Sequence, residues 1–271
     1  MVYSLHYGMD KLLVFIIGAM IGSFLNVCIY RIPNAESIIF PPSHCPKCSK
    51  RIKWYDNIPI LSYIVLMGRC GHCRRRIPIR YLIVEVLTAV LILLLYRTFG
   101  ISTKFFTYSA FTSVLIVVTF IDIATMEIPD SLSLGGLVMG VVLSAIFPVL
   151  FNSASRMESL LGSVIGALVG GMIIYIMGVI GKLIFKKEAM GGGDVKLMAM
   201  IGSFLGWKLA LFTFFIAPIF GAVFGLVMKM RDGRDTIAYG PYLSLAAVIT
   251  IFFSVSTWAF SLDECDKIRK G

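Results

Sequence analysis

The chain has 271 residues, of which 58% are hydrophobic and only 15% are charged, and its mean hydropathy is +0.88. A soluble domain of this length would be roughly 45–50% apolar and about 25% charged. The composition therefore excludes an ordinary soluble enzyme and predicts a protein that lies in the lipid bilayer. The net charge of +10 is explained by basic cytoplasmic loops, so we predict no nucleic-acid partner.

The first apolar run covers residues 12–30 and contains no charged side chain. It is long enough to cross a bilayer core of about 30 Å. Arg31 follows it directly, and no small-x-small cleavage site is evident. We therefore predict a permanent transmembrane helix within residues 1–30 and not a signal peptide that is removed.

Residues 31–80 form a polar segment rich in proline, cysteine and basic side chains. The positive-inside rule places such a segment in the cytoplasm. It contains two C-x-x-C pairs separated by 21 residues, formed by Cys45, Cys48, Cys70 and Cys73. Two such turns can direct four thiolates at one Zn²⁺ ion in tetrahedral geometry, and cytoplasmic thiols stay reduced. We predict a zinc-ribbon-like loop domain with a closed, structural zinc site.

Two alternatives for this segment stay open. Thiol redox chemistry would need only one of the two pairs, and His44 or His72 offers a substitute metal ligand. Two further cysteines, Cys28 and Cys265, stand alone in the sequence. Cys28 is interpreted as a small apolar packing residue.

Seven further apolar runs follow, and the boundary between the fifth and sixth of them, near Trp207 and Lys208, is weakly marked. The runs cover 81–97, 105–121, 132–151, 159–185, 195–207, 209–228 and 237–262. The predicted fold is thus an all-α polytopic membrane protein of about eight transmembrane helices, with residues 81–271 as one bundle. Alternation places segments 31–80, 122–131, 182–194 and 229–236 inside. Their basic residues agree with the positive-inside rule, whereas the basic tail at 263–271 does not.

Three aspartates lie near the ends of predicted helices on the predicted cytoplasmic side: Asp122, Asp130 and Asp194. Ionisable groups at the edge of membrane helices are costly and tend to face a cavity or a partner. Two close carboxylates do not both ionise easily, so one acts as a base on water while the other, still protonated, polarises a peptide carbonyl. Asp122 and Asp194 are our candidate catalytic pair, and the glycines at 191–193 would let a substrate strand approach closely.

Each acid also has a structural interpretation. Asp130 precedes a helix and is explained most simply as its N-cap, and Asp194 is open to the same explanation. Asp122 can be an ordinary residue of a helix interface. Glu85, one turn into the second run, can snorkel to the interface, pair with Arg80 or belong to a polar site.

Short motifs distributed over nearly the whole chain carry a resemblance to a known family. They occupy residues 22–27, 30–33, 41–45, 54–56, 58–59, 68–70, 80–81, 122–130 and 191–194. In this ordered set the sequence resembles the bacterial type IV prepilin peptidases, also called prepilin leader peptidase/N-methyltransferases. The last motif is the G-x-G-D signature of intramembrane aspartic proteases.

The resemblance implies an aspartic endopeptidase of the inner membrane, with its active site facing the cytoplasm. Such enzymes remove the basic leader of type IV prepilins or pseudopilins after a glycine. The catalytic aspartates of the family correspond to Asp122 and Asp194, and its zinc-binding cysteines to Cys45, Cys48, Cys70 and Cys73.

Many members of the family then methylate the new N-terminus with S-adenosylmethionine. The sequence shows no glycine-rich nucleotide fingerprint, so the residues that bind this cofactor stay unknown. Glu36, Gly68, Arg69 and the segment 22–26 are the places to look. Within that segment, Ser23 and Asn26 can equally serve as hydrogen-bonding groups between helices.

Two other functions compete with the peptidase. A proton-coupled transporter would use Asp122, Asp194 and Glu85 as a relay near the bilayer midplane and would be built from repeats, which the sequence does not show. A zinc-stabilised scaffold of a secretion machine would tolerate Asn at either aspartate.

Overall fold

The computed structural model describes residues 2–45, 47–186, 190–232 and 238–254. Lys187, Arg234 and Cys265 and the ends of the last predicted run lie outside these ranges. The helices are α1 (Val2–Arg31), α2 (Leu61–Val65), α3 (Arg80–Phe99), α4 (Thr103–Thr125), α5 (Asp130–Ile146), α6 (Arg156–Phe185), α7 (Gly192–Asp232) and α8 (Gly240–Ser254), with 3₁₀ turns at Trp54–Asn57 and Pro148–Phe151. The described residues contain no β-strand, so the all-α prediction is confirmed.

Five helical segments of the described residues are long and apolar enough to cross a membrane. They are Met9–Arg31, Arg80–Phe99, Thr103–Thr125, Arg156–Ile184 and Gly192–Val227. Helices α5 and α8 are apolar but shorter. The prediction of a multi-pass membrane protein is therefore supported by helix length and composition.

Helix α7 contains two predicted runs, 195–207 and 209–228, and has a kink between them. Its helical geometry is interrupted at Gly206, where φ is 79° and ψ is 169°. This conformation is open to glycine because glycine has no Cβ. The predicted boundary near Trp207 and Lys208 lies directly after the observed break, which falls on Gly206 because glycine tolerates this backbone conformation.

The described chain divides into two compact units, Met1–Val117 and Val118–Gly271. In the first unit, α1 and α3 run antiparallel and touch at residues spaced four apart. A Cβ on Gly18 would lie 2.8 Å from Ala89 Cα, and one on Gly22 would lie 2.7 Å from Glu85 Cα. Small residues let two membrane helices approach closely enough for backbone contact.

In the second unit, α5 and α6 pack against the first half of α7. Gly162, Gly166 and Gly170 of α6 are spaced four residues apart, and Cβ atoms on Gly166 and Gly170 would collide with the backbone carbonyl oxygens of Gly202 and Met198. Ser163 Oγ donates to the carbonyl oxygen of Ser203 at 2.7 Å. The first half of α7 is therefore enclosed by α5 and α6, which fixes the position of its N-terminal residues. The residues of α7 that are fully buried include Leu197, Met198, Met200 and Ile201.

Candidate active site and metal site

Asp122 and Asp194 are both buried in the second unit, with 4% and 9% of their surface exposed. Asp122 lies in the last turn of α4. Its Oδ2 accepts a hydrogen bond of 2.9 Å from the N–H of Gly240, the first residue of α8. Asp194 lies in the first turn of α7, where its Oδ2 accepts a bond of 3.2 Å from the N–H of Gly191. Each buried carboxylate therefore has a backbone donor that favours its charged form.

The structure brings these two aspartates to one place. Their carboxylates interact electrostatically. The side chain of Ile128 lies against two glycines of the site: Gly193, which precedes Asp194, and Gly240, which binds Asp122. A Cβ on Gly193 would be 3.0 Å from Ile128 Cβ, and one on Gly240 would be 3.2 Å from Ile128 Cδ1. The end of α4 and the starts of α7 and α8 thus converge on a single buried pair of acids.

Asp130 plays a different role from the one predicted. It is the first residue of α5, and the N-cap position is occupied by Pro129, so the N-cap interpretation of Asp130 is wrong. Its carboxylate pairs with Lys196 Nζ at 2.6 Å, and 60% of its side chain is exposed. An exposed ion pair of this kind contributes about 0–1 kcal/mol of stability.

Asp194 is the third residue of α7, and it is not the N-cap. Its side chain nevertheless reaches back to the N–H of Gly191, as the acid of a capping box does. Asp194 therefore does cap the start of α7, but it does so from the third helical position and not as the N-cap residue. One hydrogen bond to Gly191 leaves carboxylate oxygen capacity for a second partner.

Tyr239, which immediately precedes Gly240, was not among the residues that the sequence predicted for the site. Its hydroxyl is buried and has no hydrogen-bond partner among the described residues. It lies close enough to the Asp194 carboxylate to interact with it electrostatically. A tyrosine hydroxyl can donate one hydrogen bond, so Tyr239 offers a donor beside the Asp194 carboxylate. No motif in the sequence marks this tyrosine, because its contact is made only through the fold.

The four predicted cysteines form one cluster in the first unit. The Sγ atoms of Cys45, Cys48, Cys70 and Cys73 all lie within 4.8 Å of one another, and Cys45 Sγ is 3.9 Å from Cys73 Sγ. Zn–S bonds of about 2.3 Å in a tetrahedron place sulfur atoms about 3.8 Å apart. The cluster therefore has the donors and the dimensions of a closed four-sulfur metal site.

The two C-x-x-C turns have the same backbone geometry. The N–H of Cys45 donates to the Lys50 carbonyl at 3.0 Å, and the N–H of Cys70 donates to the Arg75 carbonyl at 2.9 Å. Ser49 and Arg74, each four residues after the first cysteine, both have positive φ. The turns carry single antiparallel bridges, His44–Arg51 and Arg69–Arg76, in place of the strands of a full zinc ribbon. His44 and His72 are not in the described ligand cluster.

The thiols of this cluster are tuned unequally. Burial raises the pKa of Cys45, but hydrogen bonds from the backbone of Lys47 and Cys48 outweigh it and lower that pKa to about 7. The Lys50 N–H favours the thiolate of Cys48, yet burial and the neighbouring Cys45 and Cys73 thiols raise its pKa to about 11. A metal ion must therefore displace protons from the cluster, because thiolates are the ligands.

Two family models match the chain in succession. The model of the bacterial peptidase A24 N-terminal domain matches residues 16–99, and that of the type IV leader peptidase family matches residues 109–226. A prepilin leader peptidase/N-methyltransferase of Neisseria gonorrhoeae is 34% identical over 267 residues, which cover 90% of each chain. The chain belongs to the type IV leader peptidase family.

Other relatives in the type IV leader peptidase family carry the same name. The protein of Myxococcus xanthus is 36% identical over 221 residues, and this match covers 81% of our chain but only 63% of that protein. The protein of Pseudomonas aeruginosa is 30% identical over 264 residues, with 88% of each chain covered. No solved structure matches this chain.

The candidate residues distribute between the two matched regions. The N-terminal domain match contains the four-cysteine cluster, and the type IV leader peptidase match contains Asp122 and Asp194. Tyr239 and Gly240 lie beyond the end of the second match at residue 226. The contact between α8 and Asp122 is therefore a feature that only the three-dimensional structure identifies.

Proposed function

We propose that this protein is a membrane aspartic endopeptidase that removes the basic leader of type IV prepilins or pseudopilins after a glycine. The observation that supports the proposal is the burial of both Asp122 and Asp194, close enough for their carboxylates to interact electrostatically. Membership of the type IV leader peptidase family supports it, as do the relatives named prepilin leader peptidase/N-methyltransferase.

In this mechanism the two acids act as a unit. One carboxylate takes a proton from water, and the water oxygen attacks the scissile carbonyl carbon. The other acid polarises the carbonyl and gives its proton to the leaving nitrogen as the C–N bond breaks. Because the pair titrates together, acid and base are not assigned to individual residues. The N–H groups of Gly191 and Gly240 orient the carboxylates, and the Tyr239 hydroxyl is an additional donor beside Asp194.

The transporter alternative is disfavoured by the position of the acids in their helices. Asp122 is in the last turn of α4 and Asp194 in the first turn of α7. A proton relay would place them near the middle of the membrane. Terminal positions suit a protease that meets its substrate at the membrane surface.

The function is tested with purified protein and a prepilin in detergent, with the products followed by mass spectrometry. We expect loss of the leader, with cleavage after a glycine, in the absence of any other protease. With S-adenosylmethionine present, the mature product should gain a further mass of about 14 Da, one methylene. A prepilin that stays intact would contradict the peptidase, and a cleaved product without the gain would contradict the methyltransferase.

We further propose that the cleaved product is methylated on its new N-terminus. S-adenosylmethionine supplies an electrophilic methyl group, and S-adenosylhomocysteine remains once the amine has taken the methyl group and lost a proton. The cysteine cluster would hold Zn²⁺ in a structural role, since four sulfur ligands leave no coordination position open. Cys45 and Cys70 are both buried, as expected for a metal that organises the turns around it.

We propose that the chain crosses the inner membrane of a bacterial cell eight times. Helix α7 supplies two of the crossings, since the apolar stretch Gly192–Val227 has 36 residues, well beyond the roughly 20 needed for one. Helix α5 has 17 residues, and a helix of that length spans about 26 Å. Residues 1–30 would be the first crossing, residues 31–80 the cytoplasmic zinc domain, and residues 81–271 the peptidase bundle, with its active site facing the cytoplasm.

Gly240→Ala should reduce the rate of leader removal by about 10–100-fold. A Cβ at this position would lie 2.6 Å from Asp122 Oδ2, so the carboxylate must move away from its backbone donor. Gly135→Ala is the matched control, because a Cβ there meets nothing within 4 Å and alanine favours the helix. Initial rates of leader removal measure the effect. Equal rates in the two variants would show that the Asp122–Gly240 contact is not used.

A further inference from the structure

The first unit contains a cavity of about 360 Å³ between α1, α3 and the cysteine turns. Its volume is in the range of small-molecule sites. Ser23, Asn26 and Tyr30 of α1 line one side, and Tyr81 and Glu85 of α3 line another. Of the positions that the sequence suggested for the methyl donor, Ser23 and Asn26 of the segment 22–26 line the cavity, whereas Glu36, Gly68 and Arg69 do not.

A buried acid lies on the wall of this cavity where α1 and α3 are closest. Glu85 is 8% exposed, and its Oε2 accepts a hydrogen bond of 2.7 Å from the N–H of Ile60. The Ser23 hydroxyl also hydrogen-bonds to the carboxylate. Glu85 thus does not snorkel to the membrane surface. A buried carboxylate is expensive to maintain without a charged partner, and these two donors are both neutral.

The backbone that faces Glu85 is held in a rare conformation. Ile60 has φ 63° and ψ −53°, and the N–H of Leu61 donates to the carbonyl oxygen of Pro59 at 2.6 Å. These are the marks of a γ-turn of the strained kind. Positive φ is unfavourable for a β-branched residue, and such strain is concentrated at functional sites. Glu85 fixes this turn at the edge of the cavity.

A second polar group beside the cavity, the Asn26 amide, has a hydrogen-bond acceptor that is not used. Asn26 is 2% exposed, and its Nδ2 donates to the carbonyl oxygen of Tyr81 at 3.0 Å. Its Oδ1 is buried and has no partner among the described residues. The helix–helix interpretation of Asn26 is therefore correct for the donor end of the amide but leaves the acceptor end unexplained. A ligand donor would satisfy it.

The cavity is lined by charged side chains of both signs. The acids are Glu85 of α3 and Asp56, which belongs to the segment between the two cysteine turns. The basic lining residues are Lys47, Lys50, Arg75 and Arg76 of the cysteine segment, Arg31 of α1 and Arg80 of α3. Such a cavity suits a small molecule that carries a cationic centre and a separate carboxylate.

We infer that this cavity binds S-adenosylmethionine, with Glu85 facing its cationic part, Asn26 Oδ1 accepting from a ligand N–H, and the basic turns facing its carboxylate. The inference rests on the methyltransferase half of the proposed function. S-adenosylmethionine carries a sulfonium, an ammonium and a carboxylate group in one molecule, which matches the two signs of charge. Tyr30 and Tyr81 offer aromatic surfaces for its adenine ring.

The test is equilibrium binding of radiolabelled S-adenosylmethionine to the full-length purified protein. Glu85→Gln removes the charge but keeps an oxygen that can accept from the Ile60 N–H, and we expect affinity to fall about tenfold or more. Asn26→Leu should also weaken binding. Asp10→Asn, which changes an exposed acid on α1, is the control and should bind as the wild type does. Photocrosslinking of the bound ligand should label peptides that contain residues 23–31 or 77–85.

Two further measurements separate the possible failures. Zinc content and leader removal report whether Glu85→Gln is folded in each unit, so lost binding with both retained supports the site. If the wild-type protein methylates pilin but Glu85→Gln binds the ligand equally well and the crosslinks fall elsewhere, the cavity assignment is wrong and the methyltransferase stands. If the wild-type protein neither binds the ligand nor methylates pilin, the methyltransferase itself is contradicted.

Discussion

Asp122→Asn and Asp194→Asn should each reduce the rate of leader removal by about 10³-fold or more, because general acid–base catalysis alone contributes about 10²–10⁴-fold. Asparagine is isosteric with aspartate and can still accept from the Gly240 or Gly191 N–H through its carbonyl oxygen. It can neither take a proton from water nor donate one as an acid. The loss should therefore fall on the chemical step and not on folding.

Single-turnover rates with a prepilin in detergent measure this effect, and thermal unfolding checks that the variants remain folded. Asp130→Asn is the matched control, since its carboxylate is exposed and pairs with Lys196. It should cut at nearly the wild-type rate. The double variant should be no slower than either single one, as expected for residues that act as a unit. A variant at Asp122 or Asp194 that cuts normally would refute the aspartyl mechanism and favour the scaffold.

Cys70→Ser should lower the zinc content from about one ion per chain to a small fraction, because a structural site needs all four thiolates. The first unit should then lose thermal stability, since structural zinc binding contributes about 10–16 kcal/mol in small zinc peptides. Cys45 and Cys70 also line the cavity, so binding of S-adenosylmethionine should weaken as well. Leader removal should be affected less, because Asp122 and Asp194 belong to the second unit.

Metal analysis after gel filtration, together with calorimetry, measures these changes. Cys28→Ser is the control, since that thiol is buried but is not in the metal cluster. Acid should have the same effect as the substitution. Protons compete with zinc for the thiolates, so zinc retention should decline as the pH is lowered. Full zinc content in Cys70→Ser would exclude the four-cysteine site.

Local patterns in the sequence were sufficient for much of the fold. The prediction of apolar helices required only composition and run length, because a helix satisfies its own backbone hydrogen bonds in lipid. The two C-x-x-C turns were also recognisable, because each turn is closed by hydrogen bonds within six residues, as at Cys45 and Lys50. Candidate acids could be found because a charge is rare in such a chain.

The partners of those acids could not be predicted. Asp122 binds the N–H of Gly240, 118 residues later in the chain, and Asp130 binds the side chain of Lys196, 66 residues later. The sequence separated Asp122, as a candidate catalytic acid, from Asp130, as a helix cap, but it did not show that the first is buried and bonded to α8 or that the second forms an exposed ion pair. Similarly, the meeting of Glu85 with Ile60 depends on how α3 and the cysteine segment fold together.

The sequence by itself predicted that this protein is helical, that several of its helices are apolar enough to cross a membrane and that four cysteines can bind one metal ion. Those properties depend on hydropathy and on contacts between residues a few positions apart. Only the tertiary structure decided which backbone groups bind the two candidate acids, that Tyr239 lies beside Asp194 and that a cavity with a buried Glu85 exists in the first unit. Long-range contacts could not be predicted, because the pattern of a helix specifies which face is apolar but not which residue of another helix will lie opposite.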